Sequence, residues 1–180
     1  HVTQIMNNTL EENLAMIGDT VGFLKSHGRE VIYDAEHFFD GFCADEAYAL
    51  KTLEAATTAG ADWIVLCDTN GGSMIYDVEA ATGRVKAFID RLAISRPPGI
   101  GIHTHNDSAM AVANAIVAVR AGARMVHGTI NGYGERCGNA DLTSLIPILK
   151  LKMGYDCISD ANLARLKNLS RFVSETGNQV

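Results

Sequence analysis

His103-Thr104-His105 places two imidazoles one residue apart, at the end of the apolar run Gly99-Ile100-Gly101-Ile102. In a strand, alternate side chains take opposite faces, so His103 and His105 share one. Two imidazoles on one face can share a metal ion, although two polar residues closing a strand read the same way. Asn106 or Asp107 is placed to cap the helix that follows.

Other residues supply what such an ion would need. Asn139, Asp68 and Glu36 offer oxygen beside the histidine nitrogens, a donor set that suits Zn, Mn or Co and, less readily, Mg. Open positions on the ion could take a keto acid through its carbonyl and carboxylate oxygens, polarising the carbonyl for attack. Simpler roles stand beside these. Asp68 and Thr69 could cap the turn at Asn70-Gly71-Gly72, and Glu36 could pair with Arg29 or Arg136. His37 reads as packed or solvated, and His127, inside a strand, as a core or supporting histidine. Asn131-Gly132-Tyr133-Gly134-Glu135-Arg136-Cys137-Gly138-Asn139 mixes glycines with polar side chains and reads as a mobile lid.

The elements carrying these residues alternate. His1-Val2-Thr3 reads as a strand end. Thr9 with Glu12 forms a capping box for a helix whose stripe is Leu10, Leu14, Ile17, Val21 and Leu24. Glu30 to Ala35 is a short strand running into a loop from Glu36 to Phe42. Asp45 caps a second helix, and Trp63 to Cys67 is apolar throughout, as expected of a strand buried on both faces. Val78, Ala81, Val85 and Ile89 mark a third helix before the histidine strand. A helix follows Asp107, then a strand from Arg124 to Ile130, a helix from about Asp141 disturbed by Pro147, and a last helix from Ser159 or Asp160. Alternating strand and helix means a parallel sheet covered by helices. Glu36, Asp68 with Thr69, His103 with His105, and Asn139 all lie just past strand carboxyl ends, which is the catalytic rim of a (β/α)8 barrel and also the ligand edge of a doubly wound sheet.

Composition narrows the class. A net charge of -6 argues against a nucleic-acid surface. No apolar run approaches the ~20 residues of a membrane span. Cys43, Cys67, Cys137 and Cys157 have no Cys-x-x-Cys spacing, which points to a reducing, cytoplasmic setting rather than a zinc or disulfide scaffold.

His103-Thr104-His105-Asn106-Asp107 together with Asn131 to Ala140 resembles the second signature of the alpha-isopropylmalate, homocitrate and citramalate synthase family. Asp34-Ala35-Glu36-His37-Phe38-Phe39-Asp40-Gly41 and Cys67-Asp68-Thr69-Asn70-Gly71-Gly72 are similar to its citramalate branch. The resemblance implies a TIM-barrel acyltransferase that condenses acetyl-CoA with a 2-oxo acid, pyruvate in that branch, and then hydrolyses the thioester, in branched-chain amino-acid biosynthesis. It implies His103, His105 and Asn139 on a divalent metal (Mn, Mg, Zn or Co). Substrate binding falls to Asp68, Thr69 and Asn70, with Thr69 on the keto acid carboxylate. Glu36 would lie near the acetyl methyl group, and Glu135 and Arg136 would sit in the closing loop. A homodimer and a cytoplasmic setting are expected, with no nucleic-acid or membrane partner. The family's Asp-Arg-Glu-like motif on the first barrel strand has no counterpart before His1. The chain therefore reads as the C-terminal half of the barrel, about strands 5–8, over residues 1–155, with 156–180 leading out toward a following subdomain. Alone, it is expected to be inactive. Isopropylmalate or homocitrate synthase, a related carbon–carbon lyase, and a non-catalytic scaffold are the rival readings.

Overall fold

The computed structural model describes residues 1–178. Positions 179 and 180, the end of the expected outgoing segment, lie outside the described residues. Strands β1 (Ile32–Ala35), β2 (Trp63–Asp68), β3 (Gly99–Thr104) and β4 (Met125–His127) form one parallel sheet in chain order. Parallel neighbours require a crossover. Helices α3 (Glu46–Thr58), α4 (Ile75–Arg91) and α5 (Ala111–Ala121) supply them. Four successive strand–helix units in this order are the repeat of a (β/α)8 barrel.

Register sorts the strand side chains into two faces. Ile64, Leu66, Ile100 and Ile102 join Leu53, Val78, Val85, Ala111 and Ala115 in the core beneath the helices. On the opposite face, Val65 stands level with Gly101 and Met125, and Cys67 level with His103 and His127. Val65 and Cys67 are buried as well, so β2 is apolar on both sides for a reason. Asp34 pairs with Val65 and belongs to this second face.

Helix α1 (Leu10–Ser26) begins at Thr9 with the expected capping box, Thr9 accepting from the Glu12 amide and Glu12 from the Thr9 amide. Asp45 caps α3 by accepting from the Tyr48 amide. Other elements differ from the sequence reading. His1 to Thr3 lie in turns rather than a strand. The expected loop after Glu36 contains the seven-residue helix α2 (Phe38–Ala44), entered through His37 in a left-handed conformation and buried through Phe38 and Phe39. Helix α5 begins at Ala111, beyond Asp107; Asn106 still serves it, its Oδ1 accepting from the Ala111 amide at 3.2 Å. Strand β4 ends at His127, and the chain then tightens into a 3-10 turn at Ile130–Gly132.

After α6 (Leu142–Pro147), capped by Asp141, the backbone widens into a π turn over Ile148–Lys152, since proline cannot donate to a regular ladder. The last helix is broken at Arg165 into α7 (Asp160–Ala164) and α8 (Leu166–Thr176). Helix α8 seats on the start of the glycine-rich loop: Asn131 Nδ2 donates to the Ser170 carbonyl at 2.9 Å, and Ser170 Oγ donates to Asn131 Oδ1 at 2.6 Å. No helix among the described residues is long and apolar enough to cross a membrane.

Candidate active site

The rim at the strand carboxyl ends gathers side chains in two tiers. The lower tier is the Cys67–His103–His127 row. The upper tier is Thr69 and His105, two residues beyond Cys67 and His103, with Glu36, one residue past the end of β1, joined to it through Thr69.

His103 is the centre of the lower tier. Its Nε2 lies 2.9 Å from Asn139 Oδ1. Its ring stacks on His105 with centroids 5.1 Å apart and meets His127 edge-on at 5.4 Å. The alternation rule therefore holds: both histidines of the pair share a face. His103 Nδ1 is buried without a partner among the described residues. Potential ligand atoms of Asp34, His103 and His127 all lie within 4.8 Å of one another. His103 Nε2, Asn139 Oδ1 and the stacked His105 bring nitrogen and oxygen donors together on one face, a donor set that fits a divalent transition metal. Asp34 and His127 were not read as a pair from the sequence. Asp34 stands two residues before Glu36 on the same face, which was the available signal; their approach depends on inter-strand register.

In the upper tier, Thr69 Oγ1 accepts from the His37 amide and donates to Glu36 Oε2, both at 2.8 Å. His105 is buried, and its Nδ1 lies 3.0 Å from Arg136 Nη2. A guanidinium can only donate, so Nδ1 accepts here and the ring's one proton sits on Nε2; ligation through Nε2 requires that proton to move to Nδ1 and the Arg136 contact to be given up. Burial, then His103 and Arg136 beside it, push the His105 pKa below its ordinary value.

Arg136 fastens the loop over the rim. It grips Asp107 with Nε at 2.8 Å and Nη2 at 3.0 Å, and Nη2 also donates to the Thr69 carbonyl at 2.7 Å. This bidentate geometry holds the Asp107 carboxyl below the usual range. Asp107 is thus occupied by the loop, which explains why it does not cap α5.

Three residues named from the sequence do not converge on this rim. Asp68 is buried on the opposite face, its carboxylate held by Ser73 Oγ at 2.8 Å and by Asn114 Nδ2 at 3.4 Å. Asn70 Nδ2 donates to Asp40 at 2.8 Å. Glu135 is 77% exposed and meets Arg136 at 3.4 Å.

Glycines let the loop lie this close. A Cβ on Gly134 would fall 1.9 Å from Asn139 Nδ2, and Gly138, at φ +94°, would place one 2.1 Å from the Gly132 carbonyl oxygen. Gly134→Ala is therefore expected to push the Asn139 amide off His103 and weaken Co(II) binding by about 10-fold or more. Overpacking should cost ~1–3 kcal/mol in stability. Co(II) titration together with thermal melting checks both.

A family model described as HMGL-like matches residues 1–173. A Synechocystis protein named (R)-citramalate synthase is 55% identical over 99% of this chain and 33% of its own length. A Sulfolobus acidocaldarius protein named 2-isopropylmalate synthase is 38% identical over 97% of this chain and 42% of its own. The chain thus spans about a third of the length of the citramalate synthases it matches. The crystal structure of hydroxymethylglutaryl-CoA lyase from Pseudomonas aeruginosa superimposes with a TM-score of 0.75 over 97% of this chain and 58% of that one, at 15% identity, a likeness of fold.

Proposed function

Because the chain belongs to the HMGL-like family, we propose that it is part of an acyltransferase joining acetyl-CoA to a 2-oxo acid in a Claisen-type condensation, followed by thioester hydrolysis. The keto acid is pyruvate and the product citramalate, on the route to branched-chain amino acids. The observation that carries this reading is the meeting of a Glu36–Thr69 pair with a His103–His105–Asn139 set on one rim. The 55% identity to a citramalate synthase, against 38% to an isopropylmalate synthase, supports the choice of branch.

A divalent ion (Mn, Mg, Zn or Co) held by His103, Asn139 and, once Arg136 releases its Nδ1, His105 would supply Lewis acidity to the keto carbonyl. The chain's own groups do the rest. Thr69 holds the keto acid carboxylate by turning its one hydroxyl proton from Glu36 to the substrate, which frees the Glu36 carboxylate. Glu36, oriented by Thr69, takes a proton from the acetyl methyl group, and holding both reactants beside it turns two weak reactants into one encounter. Arg136 keeps the loop down and water out, with Glu135 at the loop's outer edge. Asp68, buried beneath the turn, fixes Thr69 and Asn70 through Ser73. Residues 1–155 form the catalytic part and 156–180 the outgoing part. The enzyme works as a homodimer in the cytosol, without nucleic-acid or membrane partners; Phe172, 66% exposed on α8, offers apolar surface for self-association.

Thiol release from acetyl-CoA tests the reading, with the full-length polypeptide, Mn or Mg, and a panel of 2-oxo acids. CoA released with pyruvate but not with 2-oxoisovalerate is expected, and the 180-residue chain run beside it should be silent. Release only with a longer keto acid moves the branch to isopropylmalate or homocitrate synthase. Silence of the full-length polypeptide with every acceptor overturns the synthase in favour of a lyase or scaffold.

A further inference from the structure

We propose that Asp34 is a positioning residue for His103, the acceptor that fixes which imidazole nitrogen faces a metal. The inference rests on the metal role of His103 given above. His103 Nε2 faces Asn139 Oδ1 at 2.9 Å, so Nε2 is the nitrogen on the ligand side of the rim. An amide oxygen only accepts, so without an ion the ring's proton sits on Nε2; giving Nε2 to a metal moves that proton to Nδ1. That nitrogen is buried and has no partner among the described residues. A buried donor left unsatisfied is costly, and native structures supply an acceptor for it.

Two groups stand near the ring without bonding to Nδ1. Ligand atoms of Asp34 and His127 lie within 4.8 Å of His103 and of each other. His127 stands beside His103 in the β3–β4 register and meets its ring edge-on, which makes it a wall to the site. Asp34 comes from β1, level with Val65 and so one pleat below the Cys67–His103–His127 row. An ionised carboxylate has no donor of its own to place, whereas a neutral histidine must also house a proton. Asp34 is therefore the better acceptor. Cys67 cannot take the part, since burial pushes its thiol up and keeps it protonated. A small ring rotation, or one bridging water, completes a carboxylate–histidine–metal arrangement, which fixes the tautomer and makes the ring a stronger ligand.

Co(II) titration of the full-length polypeptide, followed by its visible absorption bands, tests this. Asp34→Ala is expected to weaken Co(II) binding by about 10- to 100-fold with the band positions unchanged, because the donor set stays the same. Asp34→Asn should recover part of that loss, since its amide oxygen still accepts. Unchanged affinity in Asp34→Ala overturns the proposal and leaves the metal reading intact. Shifted bands make Asp34 a ligand and overturn the positioning role. Failure of the unsubstituted protein to bind Co(II) overturns this inference together with the metal reading on which it rests. Thermal melting of each metal-free variant separates a folding defect from a local one.

Discussion

His103→Ala is expected to lower divalent-metal affinity by more than about 100-fold, beyond what loss of an outer-sphere group brings, and to abolish CoA release. The reason lies in how many groups meet at this ring. Asn139 Oδ1 sits on its Nε2, His105 stacks on the ring, His127 meets it edge-on, and Asp34 stands close by. Removing the ring takes away a donor and leaves Asn139 without the partner that aligns it. His105→Ala should also weaken binding, but with the loop still fastened. Arg136 would lose one of its acceptors and keep Asp107 and the Thr69 carbonyl. His127→Ala removes only a wall and should cost far less. Mn(II) or Co(II) titration, with thiol release measured beside it, ranks the three. Equal losses at all three positions would mean that general packing, not ligation, is being read. Full metal affinity in His103→Ala would place the ion elsewhere.

Much of this arrangement could be read from residue order because its causes are local. Thr9 with Glu12 needed nothing beyond one helical turn, and the run from Trp63 to Cys67 announced a strand buried on both faces. Period two put His103 and His105 together. The same rule separates Asp68 from Thr69, since neighbours on an extended chain point apart; the structure accordingly has Thr69 on the rim and Asp68 under the helices.

What the sequence did not reveal depends on contacts distant in the chain. Helix α2 is too short to show a period, and it forms because His37 turns the backbone and Phe38 and Phe39 find the core. The start of α5 falls beyond Asp107, where Ala109 is left-handed and Arg136, 29 residues on from Asp107, holds its carboxylate. Asp34 and His127 come together only through the register of β1 to β4. The rim residues were thus legible one strand at a time, and their pairing was not.

Glu36→Gln should leave the protein folded and metal-loaded yet lower kcat by about 100- to 10,000-fold, the usual scale for losing a positioned general base. Glu36 is exposed at the end of β1 and held by one hydrogen bond in a short chain: the His37 amide donates to Thr69 Oγ1, and Thr69 Oγ1 donates to Glu36 Oε2. Glutamine keeps the length and an oxygen for Thr69 to donate to. It cannot accept a proton from carbon. The change therefore removes the chemistry while keeping the geometry, so KM for either substrate should move little and Co(II) affinity not at all. Thr69→Val makes the complementary test. It leaves the carboxylate but frees it from its hydroxyl and should raise KM for the keto acid as well as lower kcat. Thiol-release kinetics with both substrates varied would check the pair. A Glu36→Gln enzyme within about threefold of normal turnover, far short of a lost general base, would remove Glu36 from proton transfer. A variant that lost Co(II) along with turnover would make Glu36 a ligand, bringing the upper tier into the metal site and leaving the acetyl proton to another group.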